Sequence, residues 1–441
     1  MKQPYKSWGL YPPAKHKNVI KLHWISDIPE LNRMETLVLP YGLGRSYGDN
    51  CLNNDNTLLD TSGMSSFIEF DKKSGIIKCE GGASFAEILK VIVPNGWFFP
   101  VTPGTKFVTV GGAIANDVHG KNHHTAGTFG KHVLSFELLK SSGKKYICSA
   151  IENTELYNAT IGGMGLTGLI LWAQFKLKSI ENAYIDTETI KFKNLDEFFE
   201  LSEKSSSDYE YIVSWVDCTN RGKNFGRGLF FRGNHSNLDK AELPQPKPPR
   251  RLPFPFTAPA ILLNKFTLKI ANGILYHSQF KKHKKRIKHY DSFFYPLDSI
   301  LNWNRMYGKR GFFQYQCVVP HSDGGNAIRQ ILECISKSGK GSFLAVLKTM
   351  GNVNSPGILS FPREGVTLAL DFANHGEKTH MLFADLDEII KVAGGALYPC
   401  KDARMSPEMF RFSYAEWKIF EKYIDPKFSS SFWRRVNGEK E

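Results

Sequence analysis

Two glycine-rich stretches decide the fold of this chain: Tyr41-Gly-Leu-Gly-Arg-Ser-Tyr-Gly-Asp49 and Thr109-Val-Gly-Gly-Ala-Ile-Ala-Asn-Asp-Val-His-Gly-Lys-Asn-His-His124. Each adjoins a short β-branched run and offers backbone N–H groups with no bulky side chain nearby. Successive free N–H groups form a concave nest that suits a pyrophosphate, and glycine lets the backbone approach a flat ring. The two stretches predict a large dinucleotide held between loops, with no helix N-terminus needed.

Composition limits the class of protein. The chain has 441 residues, of which 41% are hydrophobic and 23% charged, so we expect a soluble protein with two domains. No apolar run is long enough to span a membrane, and the first residues lack the apolar stretch of a signal peptide. Seven cysteines without a C-x-x-C pair argue against disulfides and zinc, and for a cytoplasmic, reducing compartment.

The first third of the chain reads as alternating short strands and helices, which is α+β in character. We expect strands at residues 35–40, 76–80, 133–139 and 169–177, and helices at residues 84–93 and 152–160. Ser84 and Glu87 have the spacing of a capping box. Gly163-x-Gly165-x-x-Gly168 matches a Rossmann fingerprint, but a helix precedes it and a strand follows it, so we reject that interpretation.

A basic segment in the second half raises the question of an acidic partner, since the formal net charge is +14. Residues 243–259 are proline-dense and predict an irregular, mobile loop. Beyond them, Leu262, Phe266, Ile270 and Ile274 recur at helical spacing, with Lys265 and Lys269 beside them and basic runs at residues 247–251 and 281–288. This pattern fits either an interfacial helix on an anionic membrane or a plain core helix. No nucleic-acid motif accompanies it.

Together these blocks resemble the vanillyl-alcohol-oxidase superfamily of flavoproteins, and most closely its decaprenylphosphoryl-β-D-ribose 2′-oxidase family. The resemblance extends to Tyr295-Pro-Leu-Asp298, Trp303-Asn-Arg305, the block of residues 311–320, residues 342–348 and Leu397-Tyr-Pro-Cys-Lys-Asp402. It implies a PCMH-type FAD-binding domain at residues 1–180 and an antiparallel-sheet substrate domain at 181–395. A mobile loop would lie at about 243–290, and residues 396–441 would return to the FAD domain.

The resemblance also implies which residues contact FAD. A histidine link is absent from the first stretch, which has Ser46-Tyr47, so we expect FAD to be bound without a covalent bond, although His123 and His124 could form one chemically. The implied contacts are Tyr41, Gly42, Leu43, Gly44, Arg45, Ser46, Tyr47, Gly48, Asp49, Asn50, Gly104, Thr109, Val110, Gly111, Gly112, Asn116, Asp117, Val118, His119, Gly163, Gly168, Ile170 and Tyr398.

Three residues are implied to lie at the reacting atoms. His119 is either a turn histidine bonded to backbone or, as the resemblance favours, a group near the flavin and the sugar. Tyr398 precedes a proline turn and Lys401 follows it. In the family this lysine reaches the flavin and the substrate hydroxyls. A lysine there could stabilise the reduced ring as a cation or take the hydroxyl proton as a neutral base. We expect no metal at His119, His123 and His124.

Polar residues on two expected strands complete the implied site. Gln314 and Gln316 are two residues apart and share one face of a strand. Lys348 ends an apolar run, and a buried lysine there would need an anion, which a phosphodiester supplies. The family reading makes these three the sugar-phosphate contacts. Ala369 and Thr367 stand where mycobacterial members have a cysteine and an asparagine, which leaves the exact lipid-sugar open.

The resemblance therefore implies oxidation of the 2′-hydroxyl of a polyprenylphosphoryl-β-D-ribose, the first half of epimerisation to arabinose. A separate NAD(P)H-dependent short-chain reductase would complete that epimerisation. The enzyme would be cytoplasmic and peripheral to the inner membrane, with no nucleic-acid partner. Two alternatives remain: a soluble aldonolactone or sugar-alcohol oxidase of the same superfamily, and a non-enzymatic basic protein that binds membranes or nucleic acid.

Overall fold

The computed structural model describes residues 5–245, 252–259 and 263–438. Its strands are β1 (Asn18–Lys21), β2 (Val38–Tyr41), β3 (Thr57–Asp60), β4 (Phe67–Asp71), β5 (Ile76–Glu80), β6 (Trp97–Phe98), β7 (Val133–Leu139), β8 (Lys145–Ser149), β9 (Leu169–Lys176), β10 (Lys178–Ser179), β11 (Tyr184–Phe192), β12 (Tyr211–Val216), β13 (Gly228–His235), β14 (Leu252–Pro253), β15 (His283–His289), β16 (Ile300–Leu301), β17 (Phe312–Val319), β18 (Ala345–Met350), β19 (Gly365–Ala373) and β20 (Ala396–Leu397).

Helices alternate with these strands. They are α1 (Phe85–Ile92), α2 (Val110–Ala115), α3 (His123–Ala126), α4 (Thr154–Thr160), α5 (Leu195–Ser205), α6 (Lys265–His277), α7 (Tyr290–Phe294), α8 (His321–Ser338), α9 (Glu377–Val392), α10 (Pro407–Ser413), α11 (Trp417–Glu421) and α12 (Ser431–Asn437). Helix α1 begins where the capping box predicts. The Glu87 backbone N–H donates to Ser84 Oγ at 3.2 Å, and the Ser84 N–H donates to the Glu87 carboxylate at 3.0 Å.

The first part of the chain builds two larger sheets and the two-stranded sheet of β6 and β10. Strands β1, β3 and β2 pair in parallel in that order, and β4, β5, β9, β7 and β8 form an antiparallel sheet. Helix α1 packs its buried face, which includes Phe85 and Ile88, into a core shared with β5, β7 and β9. Because the two glycine-rich stretches follow β2 and surround α2, these sheets fix where both stretches lie.

The second part of the chain is dominated by one large sheet. Its order among the described residues is β15-β11-β13-β12-β18-β19-β17-β20, with antiparallel neighbours throughout. Helices α5, α8 and α9 cover one face and contribute to a second core. After β20 the chain returns to the first part, where the Val38 N–H donates to the Lys427 carbonyl and the Ser429 N–H donates to the Val38 carbonyl.

Several sequence expectations need correction. Strand β2 begins at Val38 rather than at residue 35, because the Leu37 N–H donates to an Asn56 side chain instead of a strand partner. Helix α4 begins at Thr154. The second glycine-rich stretch, expected to be a loop, contains the short helix α2. Helix α4 before and strand β9 after the Gly163–Gly168 turn match the context that excludes a Rossmann site.

The segment expected to be a mobile loop at about 243–290 contains regular elements. Residues 265–277 form α6, and the basic run at 281–288 supplies most of edge strand β15, which pairs with β11. Even the proline-dense part has a short strand, β14, paired in parallel with β16. The basic run at 247–251 and Leu262 lie outside the described residues. The basic run forms a strand because Lys285 and His283 reach the buried Glu188 carboxylate across the sheet.

The aromatic core around α1 gives a test of this fold. Phe85 is fully buried and stacks on Phe99 with ring centroids 3.9 Å apart. We predict that Phe85→Ala lowers the free energy of unfolding by about 3–5 kcal/mol, because it removes the apolar contact and leaves a cavity. Phe266→Ala is the matched control, since Phe266 is 72% exposed and its loss should change stability by less than about 0.5 kcal/mol. Urea denaturation followed by circular dichroism measures both, and equal effects would contradict the assigned burial.

Candidate active site

A cavity of about 450 Å³ lies between the glycine-rich stretches and the large sheet. Its walls include residues from β17, β18 and β19 and from the turn after β20. Most of the residues implied by the sequence line it: Gly42, Leu43, Gly44, Arg45, Ser46, Tyr47, Asn50, Gly104, Thr109, Gly111, Gly112, Asn116, Val118, His119, Gly168, Ile170, Gln314, Gln316, Lys348, Tyr398 and Lys401. The structure thus brings residues more than 350 positions apart into one site.

Six implied contact residues do not line this cavity: Tyr41, Gly48, Asp49, Val110, Asp117 and Gly163. Their direct contact with FAD stays a prediction, and the structure shows the contacts that each makes within the protein. The Asp49 carboxylate accepts hydrogen bonds from Arg435 at 2.7 and 2.8 Å. The buried Asp117 carboxylate accepts from the Gly130 N–H at 3.0 Å and from the hydroxyls of Ser355 and Ser360.

The other four have packing roles. The Tyr41 hydroxyl donates to the Lys6 carbonyl at 3.0 Å, and Val110 is buried in the first core. A Cβ at Gly48 would lie 1.7 Å from the Asp402 carbonyl oxygen, and one at Gly163 would lie 2.1 Å from the Ala159 carbonyl oxygen. Glycine is required at these two positions because two backbone segments approach each other closely there.

The first glycine-rich stretch presents free backbone donors. The stretch is anchored at Tyr41, whose carbonyl accepts from the Thr61 N–H at 2.9 Å, and at Tyr47, whose N–H donates to the Cys400 carbonyl at 2.9 Å. Between these anchors, the N–H groups of residues 42–46 donate to no group of the described chain. These residues all line the cavity, so the stretch fits an anionic group such as a pyrophosphate.

The second stretch differs from the nest that its glycines predict. The Val110 N–H donates to the Ala83 carbonyl, the Gly111 N–H donates to the Gly81 carbonyl at 2.7 Å, and the Gly112 N–H donates to Thr109 Oγ1 at 3.1 Å. These amides are therefore already bonded. Gly111 and Gly112 still line the cavity, and without side chains they let a flat ligand lie close to the backbone.

His119 links the two parts of the chain. Its Nδ1 lies 2.8 Å from Lys348 Nζ, and its Nε2 lies 3.1 Å from the side-chain amide of Gln316. Lys348 also donates to the Gly120 carbonyl at 2.8 Å. Burial, reinforced by the nearby Lys348, holds the pKa of His119 well below its usual value, so its ring is neutral at neutral pH. Of the two alternatives for His119, the turn histidine bonded only to backbone does not match the structure, because both ring nitrogens contact side chains.

Lys348 is a buried cation without an acidic partner among the described residues. It is 7% exposed, and burial, with Lys121 and Lys401 nearby, lowers its pKa to about 7. A charged Lys348 donates to His119 Nδ1, so the ring proton must lie on Nε2. A neutral Lys348 can instead accept from Nδ1–H, and the Gln316 amide then donates to Nε2. The first arrangement needs the Gln316 amide turned so that its oxygen accepts from Nε2–H, whereas the second keeps the amide nitrogen there as the donor.

Lys401 and Tyr398 lie on the turn after β20, where the Tyr398 ring is 5.8 Å from the His119 ring between centroids. Lys401 Nζ is 3.9 Å from the centroid of the Tyr47 ring, a cation–π contact. Burial lowers the pKa of Lys401, whereas Cys400 and Asp371 oppose that shift. The Tyr398 hydroxyl donates to the Asn116 carbonyl at 2.9 Å, and its ring stacks on Phe361 with centroids 4.5 Å apart. Tyr398 therefore fixes the second stretch, and Lys401 remains available to a ligand.

Sequence reasoning missed Asp371. Its Oδ1 accepts a hydrogen bond from Gln314 Nε2 at 2.6 Å, and the two residues face each other across β17 and β19. It is 1% exposed, and its burial raises its pKa to about 7, against the effect of Gln314 and Lys401. The available signal was an acidic residue in the otherwise apolar run of residues 365–372.

The three histidines of the second stretch do not converge. His124 Nε2 contacts the Tyr209 carbonyl at 3.0 Å, whereas neither ring nitrogen of the buried His123 has a hydrogen-bond partner in the described chain. No group of three or more His, Cys, Asp or Glu side chains suited to a metal ion occurs within residues 5–245, 252–259 and 263–438.

Comparison with known proteins identifies the family. The chain is 36% identical over 412 residues to the decaprenylphosphoryl-β-D-ribose oxidase of Mycolicibacterium smegmatis, which covers 90% of this chain and 89% of that protein. The chain belongs to the decaprenylphosphoryl-β-D-ribose oxidase family. Residues 28–149 match the FAD binding domain family. An uncharacterized Streptomyces coelicolor protein is 30% identical over 79% of this chain and 98% of its own length.

More distant relatives share a shorter part. The Δ(24)-sterol reductase of Rattus norvegicus is 27% identical over 110 residues, which cover 25% of this chain and 21% of that protein. The two-domain α+β flavoprotein fold expected from the sequence is confirmed by the family match and by the sheets described above.

The residues of the cavity fit FAD. Free amides at residues 42–46 suit its pyrophosphate, and the side-chain-free surface of Gly111 and Gly112 suits a ring. Buried Lys348 and half-buried Lys401 both line the cavity. The part of the cavity beside these two lysines can therefore hold an anionic group. FAD as the expected cofactor is confirmed by the family match.

A glycine substitution tests the first stretch. Gly44 has a φ of +60°, and a Cβ there would lie 2.0 Å from the Tyr41 hydroxyl and 2.8 Å from the Lys6 carbonyl. We predict that Gly44→Ala lowers the FAD content per polypeptide at least about tenfold, because the loop must shift and its amides lose their alignment. Gly273→Ala is the control, since no atom lies within 4 Å of its Cβ. Flavin absorbance after acid precipitation measures both, and full FAD in the Gly44 variant would contradict this role.

Proposed function

We propose that this protein oxidises the 2′-hydroxyl of a polyprenylphosphoryl-β-D-ribose to a 2′-keto sugar, with FAD bound without a covalent link. One observation carries the proposal: Lys401, Lys348, His119, Gln314 and Gln316 converge on the cavity that also holds the free amides of the first glycine-rich stretch. The family membership supports the same reaction, because the Mycolicibacterium smegmatis relative is named for this substrate. The non-covalent link predicts that acid releases intact FAD into the supernatant.

Each polar group has a proposed role in binding the sugar phosphate. Lys348 supplies a buried positive charge for the phosphodiester, and binding of that anion raises its pKa and keeps it charged. His119 then carries its proton on Nε2 and donates it to the Gln316 amide, which turns its oxygen toward the ring, and this bond holds Gln316 in place. Gln314, fixed by Asp371, and Gln316 face the sugar hydroxyls from one side of β17.

Bound FAD supplies the acceptor for the hydride that leaves the carbon bearing the hydroxyl. Lys401 acts on the hydroxyl proton or on the charge that develops at the ring. Its lowered pKa makes the neutral, proton-accepting form accessible at a smaller free-energy cost than for an exposed lysine. We place Lys401 in the catalytic role and Tyr398 in a positioning role, because the Tyr398 hydroxyl is bonded to Asn116.

The Lys401 role can be tested in a single turnover. We predict that Lys401→Ala keeps FAD bound but slows flavin reduction by polyprenylphosphoryl-ribose about 100-fold or more, because proton acceptance and charge stabilisation are both lost. Lys422→Ala, at an exposed lysine, should match the parent. Stopped-flow flavin absorbance gives the rate, and mass spectrometry of the lipid-linked sugar shows whether dihydrogen is lost. Unchanged reduction in the Lys401 variant would remove it from the mechanism.

Substrate with a polyprenyl tail requires access to a bilayer, and α6 supplies an apolar face for it. Phe266, Ile270 and Ile274 are 72%, 46% and 67% exposed, whereas Leu268 and Asn272 face inward. The predicted stripe is therefore not a core stripe, which removes the plain core-helix alternative. None of the described helices is long and apolar enough to cross a membrane. We propose that this face, with Lys265 and Lys269, lies on an anionic membrane surface at the cytoplasmic side of the inner membrane.

The basic run contributes less to that surface than its composition predicts. Lys282 pairs with Glu197 at 2.8 Å and Lys285 with Glu188 at 2.9 Å, so two of its charges are already compensated. The product, a 2′-keto sugar on the same lipid, would be reduced by a separate NAD(P)H-dependent short-chain reductase. A soluble aldonolactone or sugar-alcohol oxidase has no use for the exposed α6 face.

Vesicle binding tests the membrane surface. We predict that the combined variant Phe266→Ser, Ile270→Ser, Ile274→Ser binds anionic phospholipid vesicles at least about tenfold more weakly, because burial of one such side chain contributes roughly 1.5–3 kcal/mol. Binding of the parent should also fall as salt rises. Ile151→Ser with Val392→Ser is the matched control, since these residues are 94% and 87% exposed elsewhere. Equal binding by both variants would favour a soluble substrate.

A further inference from the structure

Asp371 lies between the active-site cavity and a second cavity. Its Oδ1 accepts from Gln314, whose side chain lines the first cavity. Asp371 itself lines the second cavity, which has a volume of about 620 Å³ and is also bordered by Tyr307 and Lys340. Several residues of that border, including Arg310 and Lys378, are exposed, so the second cavity opens to solvent. A buried carboxyl therefore connects the site to solvent by a route other than the substrate entrance.

Two buried polar atoms on this route, Asp371 Oδ2 and the Tyr307 hydroxyl oxygen, make no hydrogen bond of ordinary length in the described chain. The two groups are near enough to act on each other's pKa. Asp371 is 1% exposed and Tyr307 is 2% exposed, so neither is hydrated as a surface group would be. Buried polar atoms without a protein partner are usually satisfied by ordered water. The cavity beside them has room for a chain of such water molecules.

The proposed reaction creates a need for this route. The hydride carries both electrons of the C–H bond to FAD, and the O–H proton is left behind as the carbonyl forms. While the lipid-linked product covers the active-site cavity, that proton has no direct path to bulk water. Lys401 is half-buried and among the described residues makes no ion pair, but the Asp371 carboxyl acts electrostatically on it.

We propose that Asp371 passes the proton released at Lys401 to water in the second cavity and so to solvent. This inference rests on the proposed function. The proton moves from the substrate hydroxyl to neutral Lys401 Nζ, then through water to the Asp371 carboxylate, and leaves through the water beside Tyr307. No oxidant is needed besides the FAD that takes the hydride. Asp371 is a positioning and proton-transfer residue, since it contacts neither the sugar nor the flavin directly.

The surroundings of Asp371 suit repeated proton exchange. Its pKa is raised to about 7 by burial, so both of its forms occur at neutral pH. An ionised form is needed to accept the proton, so the rate should rise with pH through about 7. The titratable or charged groups that face it are Lys401 and Tyr47 around the first cavity, and Tyr307, Lys265, Arg310, Lys340, His375, Glu377 and Lys378 around the second.

The first arm of the test uses FAD-loaded protein without substrate. Infrared difference spectra recorded across a pH series should show a protonated-carboxyl band that disappears as the pH rises through about 7. That band should be absent from Asp371→Asn and present in Asp385→Asn, a control at an exposed aspartate. Tyr307→Phe should keep the band but shift its midpoint. A band that persists in Asp371→Asn would overturn the assignment.

The second arm measures flavin reduction by polyprenylphosphoryl-ribose in a stopped-flow instrument. Above pH 7 the Asp371→Asn rate should be at least about tenfold below that of the parent and should lack the step near pH 7, with a larger solvent deuterium effect. Tyr307→Phe should show a smaller loss, which guards against misfolding of the aspartate variant. A parent that is not reduced overturns the proposed function, and with it this route. A normally reduced parent with an unchanged Asp371→Asn pH profile overturns the route alone.

Discussion

The hydrogen bond from the Tyr47 N–H to the Cys400 carbonyl joins the two halves of the site. On one side of it is the glycine-rich stretch after β2, and on the other is the turn that carries Tyr398 and Lys401. Gly48 lies beside it, at a position where any side chain would collide with the Asp402 carbonyl. Arg435 closes the same junction through Asp49 and Asp402. The ligand cavity exists because these segments, far apart in the chain, are held in contact.

This junction explains the charge of the site. The approach of the two halves buries Lys348 and half-buries Lys121 and Lys401, and burial lowers the pKa of each. Uncompensated buried cations cost free energy, and proteins keep them where a ligand or a reaction uses the charge. The Asp371 carboxyl, which acts electrostatically on Lys401, is itself held partly protonated by burial. The lining of the cavity is thus short of negative charge, which an anionic phosphodiester and cofactor supply.

The sequence predicted those features that depend on local chemistry. The capping box of Ser84 and Glu87, the two glycine-rich stretches, and the alignment of Gln314 with Gln316 on one strand face all follow from neighbouring residues. Features that depend on distant partners did not follow. Asp49 and Asp117 lie in the two glycine-rich stretches, but their partners are distant in sequence. Asp49 binds Arg435, and Asp117 binds Ser355 and Ser360. The basic run became a strand because Glu188 lies opposite it. The α6 stripe could be assigned to solvent only once its inward face was known.

The two halves of the site also differ in how they hold a ligand. The FAD binding domain match covers residues 28–149 and includes both glycine-rich stretches, which bind through backbone amides and a side-chain-free surface. It includes none of Gln314, Gln316, Lys348 or Lys401, which act through side chains on the large sheet and the turn after it. Backbone recognition tolerates change of sequence, whereas side-chain recognition does not. The sterol reductase is similar to this chain over only 110 residues, so that likeness carries no inference about the substrate.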